Sequence, residues 1–381
     1  MQKVKLKEVC TLINGRAYKQ EELLVSGKYP VLRVGNFFSD KDYYYSDLEL
    51  EEDKYCDSGD LLFAWSASFG PKIWNGGKVI YHYHIWKMVL EDTVNKEYLY
   101  YYLYYLSERI KAEGHGGIMI HTTKAEMEER ELSLPDMSKQ CEIAKVLNQL
   151  SAIIVKRQTE IKELDNLIKA RFVEMFGDMV DPRCKWDKCR LVDACADPND
   201  IKCGPFGTQL GKDEYTDSGI EVWEIPQINS EFKTMPTHFV TKEKALNLEQ
   251  YSIRPGDIAM SRKGNVGRCA VFPESFEEGI IHSDVLRIRV DDSRVAPEFM
   301  MRQLHYSGDI QHQIELVSSG AIMAGINVTK LKDIFVYVPP KALQDEFVSF
   351  VKQIDKSKVV VQKALNETQL LFDSLMQKYF G

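Results

Sequence analysis

The stretch Ser261-Arg262-Lys263-Gly264-Asn265-Val266-Gly267-Arg268 gathers three cations, two glycines and an amide, with no acid among them. Glycines let backbone N–H groups approach phosphate oxygens, an arginine can fork onto guanine O6 and N7, and an asparagine can pair with an adenine edge. That mixture suits duplex DNA; its bland counterpart is a solvated basic turn. A corresponding loop earlier in the chain, Trp65-Ser66-Ala67-Ser68-Phe69-Gly70-Pro71-Lys72, offers hydroxyls and aromatic rings with almost no charge. Two loops of such different character point to two ligands or two base sequences.

Other chemistries lack their residues. Gly207-Thr208-Gln209-Leu210-Gly211-Lys212-Asp213 looks like a phosphate loop, but Phe206 stands where its first glycine belongs and Asp213 where Ser or Thr should hold magnesium. There is no GxSxG elbow, no HExxH, no GxGxxG and no Asn-Pro-Pro-aromatic motif of an amino-methyltransferase. His82 and His84 alternate on a predicted strand with no further ligand near in sequence, and pair with His282 and Asp284 as polar groups on a binding face. The eight cysteines form no CxxC pair, and the densest group, Cys184, Cys189, Cys195 and Cys203, is too loosely spaced for zinc, so reduced, buried thiols are expected. No catalytic residue and no metal ligand is assigned.

The elements that position these loops come in two copies. Residues 135–177 align without a gap on residues 339–381, with ten identities: Pro135/Pro339, Gln140/Gln344, Glu142/Glu346, Gln149/Gln353, Val155/Val359, Gln158/Gln362, Glu163/Glu367, Leu167/Leu371, Phe176/Phe380 and Gly177/Gly381. Beyond the opening Pro135 and the Pro339-Pro340 pair, neither segment has Pro or Gly before its closing glycine, and apolar residues recur at steps of three and four, so each is predicted to be one long helix. The first seam is Ile143, Leu147, Leu150, Ile154, Ile161, Leu164, Ile168 and Met175, with Arg157 and Arg171 in core slots. The second is Phe347, Val351, Ile354, Val361, Leu365, Phe372, Leu375 and Tyr379, with Lys358 and Thr368 in core slots. This period predicts a left-handed coiled coil whose polar interruptions fix register. About 38 residues at ~1.5 Å each make a rod of about 57 Å, the length of a spacer.

Ahead of each helix lies a mixed α/β region. Pro30–Val34 answers Glu221–Ile225, Gly59–Phe63 answers Gly256–Met260, and Val79–Leu90 answers Ile280–Val290. A helix follows in each, over Lys96–Lys111 and Pro297–Leu316. The first copy carries the tyrosine run 98–106, which is either a stacking platform for bases or an ordinary core stripe of Leu99, Leu103, Leu106 and Ile110 flanked by tyrosines. Glycine-containing loops at 114–117 and 318–320 and a short strand lead into Pro135 and Pro339. The predicted fold class is α/β (α+β), as two globular domains in tandem repeat, 1–134 and 178–338, separated by long antiparallel helices at 135–177 and 339–381.

With 49 basic and 57 acidic side chains, a formal charge of −8 excludes a protein that coats nucleic acid by bulk electrostatics, though not a local basic site. Acidic runs at Asp47–Asp60 and Glu126–Glu131 should face away from DNA. No apolar run reaches the roughly 20 residues of a spanning helix, and the start lacks a signal-peptide core, so no membrane and a cytoplasmic location are expected.

The segments Cys203–Leu210, Gly256–Gly267, Asn14–Lys19 and Gly59–Ser66, with the Pro-x4-Gln opening and Phe-Gly close of both helices, resemble the specificity subunit of type I restriction-modification systems. The resemblance covers the whole chain in the order domain, helix, domain, helix. It implies two target-recognition domains that each read half of a split double-stranded DNA site, two methyltransferase subunits docked on the helices, and restriction subunits that join the complex. S-adenosylmethionine, ATP and magnesium then belong to the partners, and the chain catalyses nothing. The candidate DNA contacts are Arg16, Tyr18, Lys19, Arg33, Asn36, Trp65, Ser66, Ser68 and Lys72 in the first domain. In the second they are Phe206, Thr208, Gln209, Lys212, Gln227, Asn229, Ser261, Arg262, Lys263, Asn265 and Arg268. The alternatives are a methyltransferase or nuclease acting alone, and a coiled-coil scaffold without sequence specificity.

Overall fold

A computed structural model describes residues 2–39, 41–66, 69–113, 122–177, 184–318 and 325–381. Ser68, the loop at 114–117 and positions 319–320 lie outside them. The chain divides into two compact units, Met1–Thr159 with Val361–Gly381, and Glu160–Val360. Each long helix, Met137–Phe176 and Lys341–Phe380, is continuous over 40 residues and gives one half to each unit.

In the first unit, strands Cys10–Asn14, Ile85–Leu90, Leu61–Ala64 and Gly70–Ile73 lie side by side in that order, all antiparallel. A second sheet runs Tyr44–Ser46, Tyr29–Leu32, Val79–Tyr81, Tyr55–Cys56, and its central pair is parallel, with Val31 opposite Ile80. The ribbon Gln2–Lys5 with Glu131–Leu134 completes it. The second unit repeats this plan. Its sheets run Ile201–Cys203, Val285–Ile288, Ile258–Ser261, Cys269–Val271 and Phe239–Val240, Ile220–Trp223, Gly279–Ile281, Ser252–Ile253, again with one parallel pair, Val222 opposite Ile280. Its ribbon is Asp187–Arg190 with Phe335–Val338.

The central strands are apolar throughout because both their faces are covered. Side chains alternate along a strand, so Leu61 and Phe63 pack with the helix residues Leu99 and Leu103, while Leu62 and Ala64 pack with Leu32 and Tyr81 of the second sheet and with Phe37 of the helical turn Val34–Phe38. Ile258 and Met260 face Phe299, Met300 and Leu304 in the same way, with Ala259 turned to Trp223 and Phe272.

The expected single stretch Val79–Leu90 is two strands that belong to different sheets, joined by a turn at 82–84, and Gly279–Ile281 and Val285–Ile288 are divided identically. His82 and His84 therefore sit on a turn and do not alternate on a strand. Gly15 and Gly204 make the crossing possible: a Cβ on either would lie 2.3 Å from the carbonyl oxygen of Tyr81 or His282 respectively. The expected helix Pro297–Leu316 is also two, Pro297–Tyr306 and Gly308–Ser318, because Ser307 is extended at the break and a glycine follows it.

The tyrosine run is structural. Tyr98, Tyr101 and Tyr102 are buried, and their hydroxyls donate to Ser133 O at 2.6 Å, Asn148 Oδ1 at 2.8 Å and Glu131 O at 2.8 Å, tying the helix Lys96–Glu113 to the ribbon and to the first long helix. Each such bond contributes about 1 kcal/mol.

The repeated glutamine of each long helix explains the Pro-x4-Gln spacing. Gln140 accepts from Asn95 N at 2.8 Å and donates to Thr93 O and Pro135 O at 3.0 and 2.9 Å. Gln344 accepts from Ala296 N at 2.9 Å and donates to Arg294 O and Pro339 O at 3.0 and 2.7 Å. Both are almost wholly buried, and each grips the residue that opens the adjoining domain helix.

In the first unit Ile143, Leu147, Leu150 and Ile154 share one core with Leu365, Phe372, Leu375 and Tyr379, and Arg157 donates to Ala364 O and Thr368 Oγ1. In the second unit Ile168 shares a core with Phe347, Val351 and Ile354; Asp165 pairs with Lys358 at 2.6 Å and Arg171 with Glu346 at 2.9 Å, an antiparallel pairing. Ile161, Leu164 and Val361 are half-buried. The polar slots are thus filled by reciprocal partners. The seam pattern misses Phe172 and Phe176, which pack on Phe299 of the globular part as well as on Phe347.

Candidate nucleic-acid interface

The loop of the second unit bridges Ile258–Ser261 and Cys269–Val271. Gly264 and Gly267 have φ of 68° and 82°, the left-handed conformation that favours glycine, and the loop closes through Ser261 N to Arg268 O at 2.7 Å. Arg262 is held at three points: its N donates to Asp284 O at 2.9 Å, its Nε donates to Ile326 O at 3.2 Å, and its guanidinium lies 4.8 Å over the ring of Phe206, itself exposed. The remaining cations are paired with acids far off in sequence, Lys263 with Asp284 at 2.8 Å and Arg268 with Glu231 at 3.0 Å. Charge counting within the loop cannot reveal such partners. Asn265 is exposed and, with Arg268, Lys169 and His305, lines a cavity of about 670 Å³.

Thr208, Lys212 and Asn229 are exposed, beside Phe206 or at the end of the short helix Ile225–Asn229. Gln209 is exposed too, its Oε1 accepting from Phe206 N and Tyr251 OH, both at 3.0 Å. Gln227 and Ser261 need correction as DNA contacts. Gln227 is buried, accepting from Glu224 N at 3.1 Å and donating to Met235 O at 3.1 Å, and Ser261 is fully enclosed at the end of a core strand.

In the first unit Arg16 makes a forked pair with Glu22 at 2.7 and 3.0 Å, which raises the guanidinium pKa and lowers that of the carboxyl, and it also lies 5.3 Å over the half-buried ring of Tyr18. Lys19 is exposed. Arg33 is exposed with its guanidinium 5.2 Å over Tyr44. Trp65 donates from Nε1 to Tyr83 O at 2.8 Å, meets Tyr83 and His84 edge-on and stacks on Trp86. Burial pushes the pKa of His82 down to about 4, helped by His84 and Arg33 nearby, so the ring is neutral at pH 7.

Three residues of this unit also need correction. Ser66 is buried. Asn36 spends its amide on the chain, accepting from Arg33 N at 3.3 Å and donating to Lys41 O and Asp42 O at 2.6 and 2.8 Å. Lys72 donates to Phe37 O at 2.7 Å and lies over the rings of Phe37 and Trp74, since its strand borders that helical turn.

Among the described residues no three His, Cys, Asp or Glu side chains are grouped to hold a metal, and no helix is long and apolar enough to cross a membrane. The thiols of Cys10, Cys56, Cys195 and Cys269 are buried and pushed up to about 12 by desolvation, whereas Cys141 is exposed.

The same strand order, the same glycine crossing and the same glutamine grip thus occur in each of the two units. The family model of the type I restriction modification DNA specificity domain matches residues 1–165 and 201–368. The chain belongs to this family.

It is 22% identical over 409 residues to the Type I restriction enzyme EcoBI specificity subunit of Escherichia coli, covering 99% of this chain and 85% of that protein. To the Type I restriction enzyme MjaVIII specificity subunit of Methanocaldococcus jannaschii it is 21% identical over 323 residues, covering 80% and 76%. Among solved structures, the S subunit of the type I restriction-modification system from M. genitalium aligns with a TM-score of 0.60 at 16% identity, covering 100% of this chain and 96% of that one. A chain from work on complex assembly and conformational transition of the type I R-M system aligns at 0.57 and 17%, covering 100% and 97%. These structures share the fold. As a type I specificity subunit by family, the chain has its mixed α/β tandem-domain architecture accounted for, and nothing favours a solitary enzyme or a scaffold without specificity.

Proposed function

We propose that this specificity subunit reads a split duplex site, one half with each unit, and is itself non-catalytic. Its long helices carry two methyltransferase subunits and set the spacing of the half-sites. Restriction subunits join the assembly, S-adenosylmethionine, ATP and magnesium are held by those partners, and the complex works in the cytoplasm.

The internal duplication carries this reading. Two units of one plan, each joined by a buried glutamine to antiparallel helices, suit two like partners and a two-part site. Exposed Lys19, Arg33, Phe206, Thr208, Lys212 and Asn265, with the half-buried Arg262, supply phosphate and base contacts on a chain whose net charge of −8 leaves binding to local groups.

The test is a competition assay with the chain and its methyltransferase partners. One split duplex should be bound far more tightly than random duplex, with affinity falling steeply as salt rises. Equal affinity for both duplexes overturns the specificity claim. Calorimetry of the isolated chain with S-adenosylmethionine should show no binding, and binding would overturn the non-catalytic assignment.

A further inference from the structure

We infer that the turn between the two sheets, with the side chains gathered around it, is the base-reading element of both units, and that in the second unit Glu224 and Asp284 accept hydrogen bonds from base amino groups beside a guanine-directed Arg262. The inference rests on the DNA-reading proposal and adds residues and a ligand chemistry to it.

The two turns correspond bond for bond. His82 N donates to Leu32 O at 2.9 Å and His282 N to Trp223 O at 2.9 Å. Ile85 N closes on His82 O and Val285 N on His282 O, both at 2.9 Å. Trp65 N reaches His84 O at 3.1 Å where Arg262 N reaches Asp284 O at 2.9 Å. The strand registers then equate Arg33 with Glu224 and Tyr44 with His238.

On this common frame the chemistry is exchanged. In the first unit the rim is cationic and aromatic: Arg33 lies over Tyr44, and the Trp65 ring meets that of His84 at 4.9 Å. In the second it carries acids. Glu224 is 2.8 Å from His238 Nδ1 and 3.9 Å from His282, and Asp284 is paired with Lys263 next to the stacked Arg262. Both carboxylates are partly exposed, 20% and 27%.

Carboxylates on a DNA-facing rim are repelled by phosphates, so they are a selective device. They are favourable opposite an amino donor, N4 of cytosine or N6 of adenine, and penalise a base that presents only acceptors. Arg262, steadied by Phe206 and Ile326 O, presents donors to guanine O6 and N7. The second unit thus suits a half-site with a guanine and an adjacent cytosine or adenine. The first, where Arg33 and Trp65 stand at the positions of Glu224 and Arg262, suits bases read through acceptors and methyl groups.

The experiment is selection of bound duplexes from a random library by the full chain with its methyltransferase partners, comparing wild type, Glu224→Gln, Asp284→Asn and Trp65→Ala. Wild type should yield a split motif. Each acid variant should lose about tenfold in preference for cytosine or adenine at one position of one half-site, while binding unrelated duplex several-fold more tightly because a repelling charge has gone. Trp65→Ala should alter the other half-site alone. Acid variants that select the wild-type motif with wild-type affinity, or that weaken binding to all sequences equally, overturn the inference while a wild-type split motif leaves the DNA-reading proposal standing. A wild type that selects no motif overturns that proposal, and this one with it.

Discussion

Replacing Gln344 by leucine keeps the volume of the side chain and removes all three of its hydrogen bonds. The amide of Ala296 and the carbonyls of Arg294 and Pro339 then lose their partner in a site whose own side chain is 0% exposed. A buried donor or acceptor left unsatisfied costs about 1–3 kcal/mol, and the carbonyls retain second lone pairs for other contacts, so the total should be about 3–5 kcal/mol. The extra apolar carbon recovers on the order of 1 kcal/mol. Gln140→Leu strips the same set, Asn95 N, Thr93 O and Pro135 O, and should cost the same within about 1 kcal/mol. Urea unfolding of the full chain gives the totals, and hydrogen exchange locates them. Gln344→Leu should deprotect the start of Pro297–Tyr306, and Gln140→Leu the start of Lys96–Glu113. The two belong to different units, so a double variant should be additive within about 0.5 kcal/mol. A cost below about 1 kcal/mol for either variant, or deprotection spread equally over both units by one substitution, would refute the grip as described.

Three further outcomes can be measured directly. Burial depresses the His305 pKa to about 4, below its unfolded value, so the unfolded chain binds more protons between these values; stability should be full above about pH 6.5 and be lost as pH falls toward 4, and His305→Gln, which keeps an acceptor for Cys269 N, should flatten that acid slope in unfolding titrations. Tyr98→Phe should lower stability by about 1–2 kcal/mol through the orphaned Ser133 carbonyl while DNA affinity stays unchanged, which a binding isotherm beside a denaturation curve will show. Inserting a matched heptad after Glu160 and after Ala364 lengthens each continuous helix by about 10.5 Å, so the selected spacer should grow by roughly three base pairs with the half-site bases unchanged, provided the duplex accommodates the added rotation; library selection that returns the original spacer would show that the helices are not the ruler.

The long helices and their duplication were legible because a 3.5-residue seam and ten identities at constant offset survive in sequence. The globular halves were legible only as matching strands. The strand match already set Arg33 opposite Glu224, whereas loops of unequal length hide the equivalence of Tyr44 with His238, which appears once register is known. Glycines and cations mark the loop that carries Arg262 between two strands. Motif reading overreached at Ser261 and Gln227, where a polar side chain beside the motif is the end of a core strand or the brace of a short helix. It placed Asp284 on a binding face but missed its pairing with Lys263, and missed Glu231 altogether, because these are tertiary contacts that no local pattern carries.

Each turn that joins the two sheets is built from main-chain bonds: His82 N to Leu32 O and Ile85 N to His82 O, with the same pair at His282 and Val285. Backbone bonds of this kind do not depend on side-chain identity, so residues such as Tyr83 or Ser283 at the tip can be exchanged with little loss of stability. New specificities can then arise by single substitutions that remain above the folding threshold, without compensating changes elsewhere. Mutational robustness of the frame is the evolutionary counterpart of one glycine passing beneath one turn.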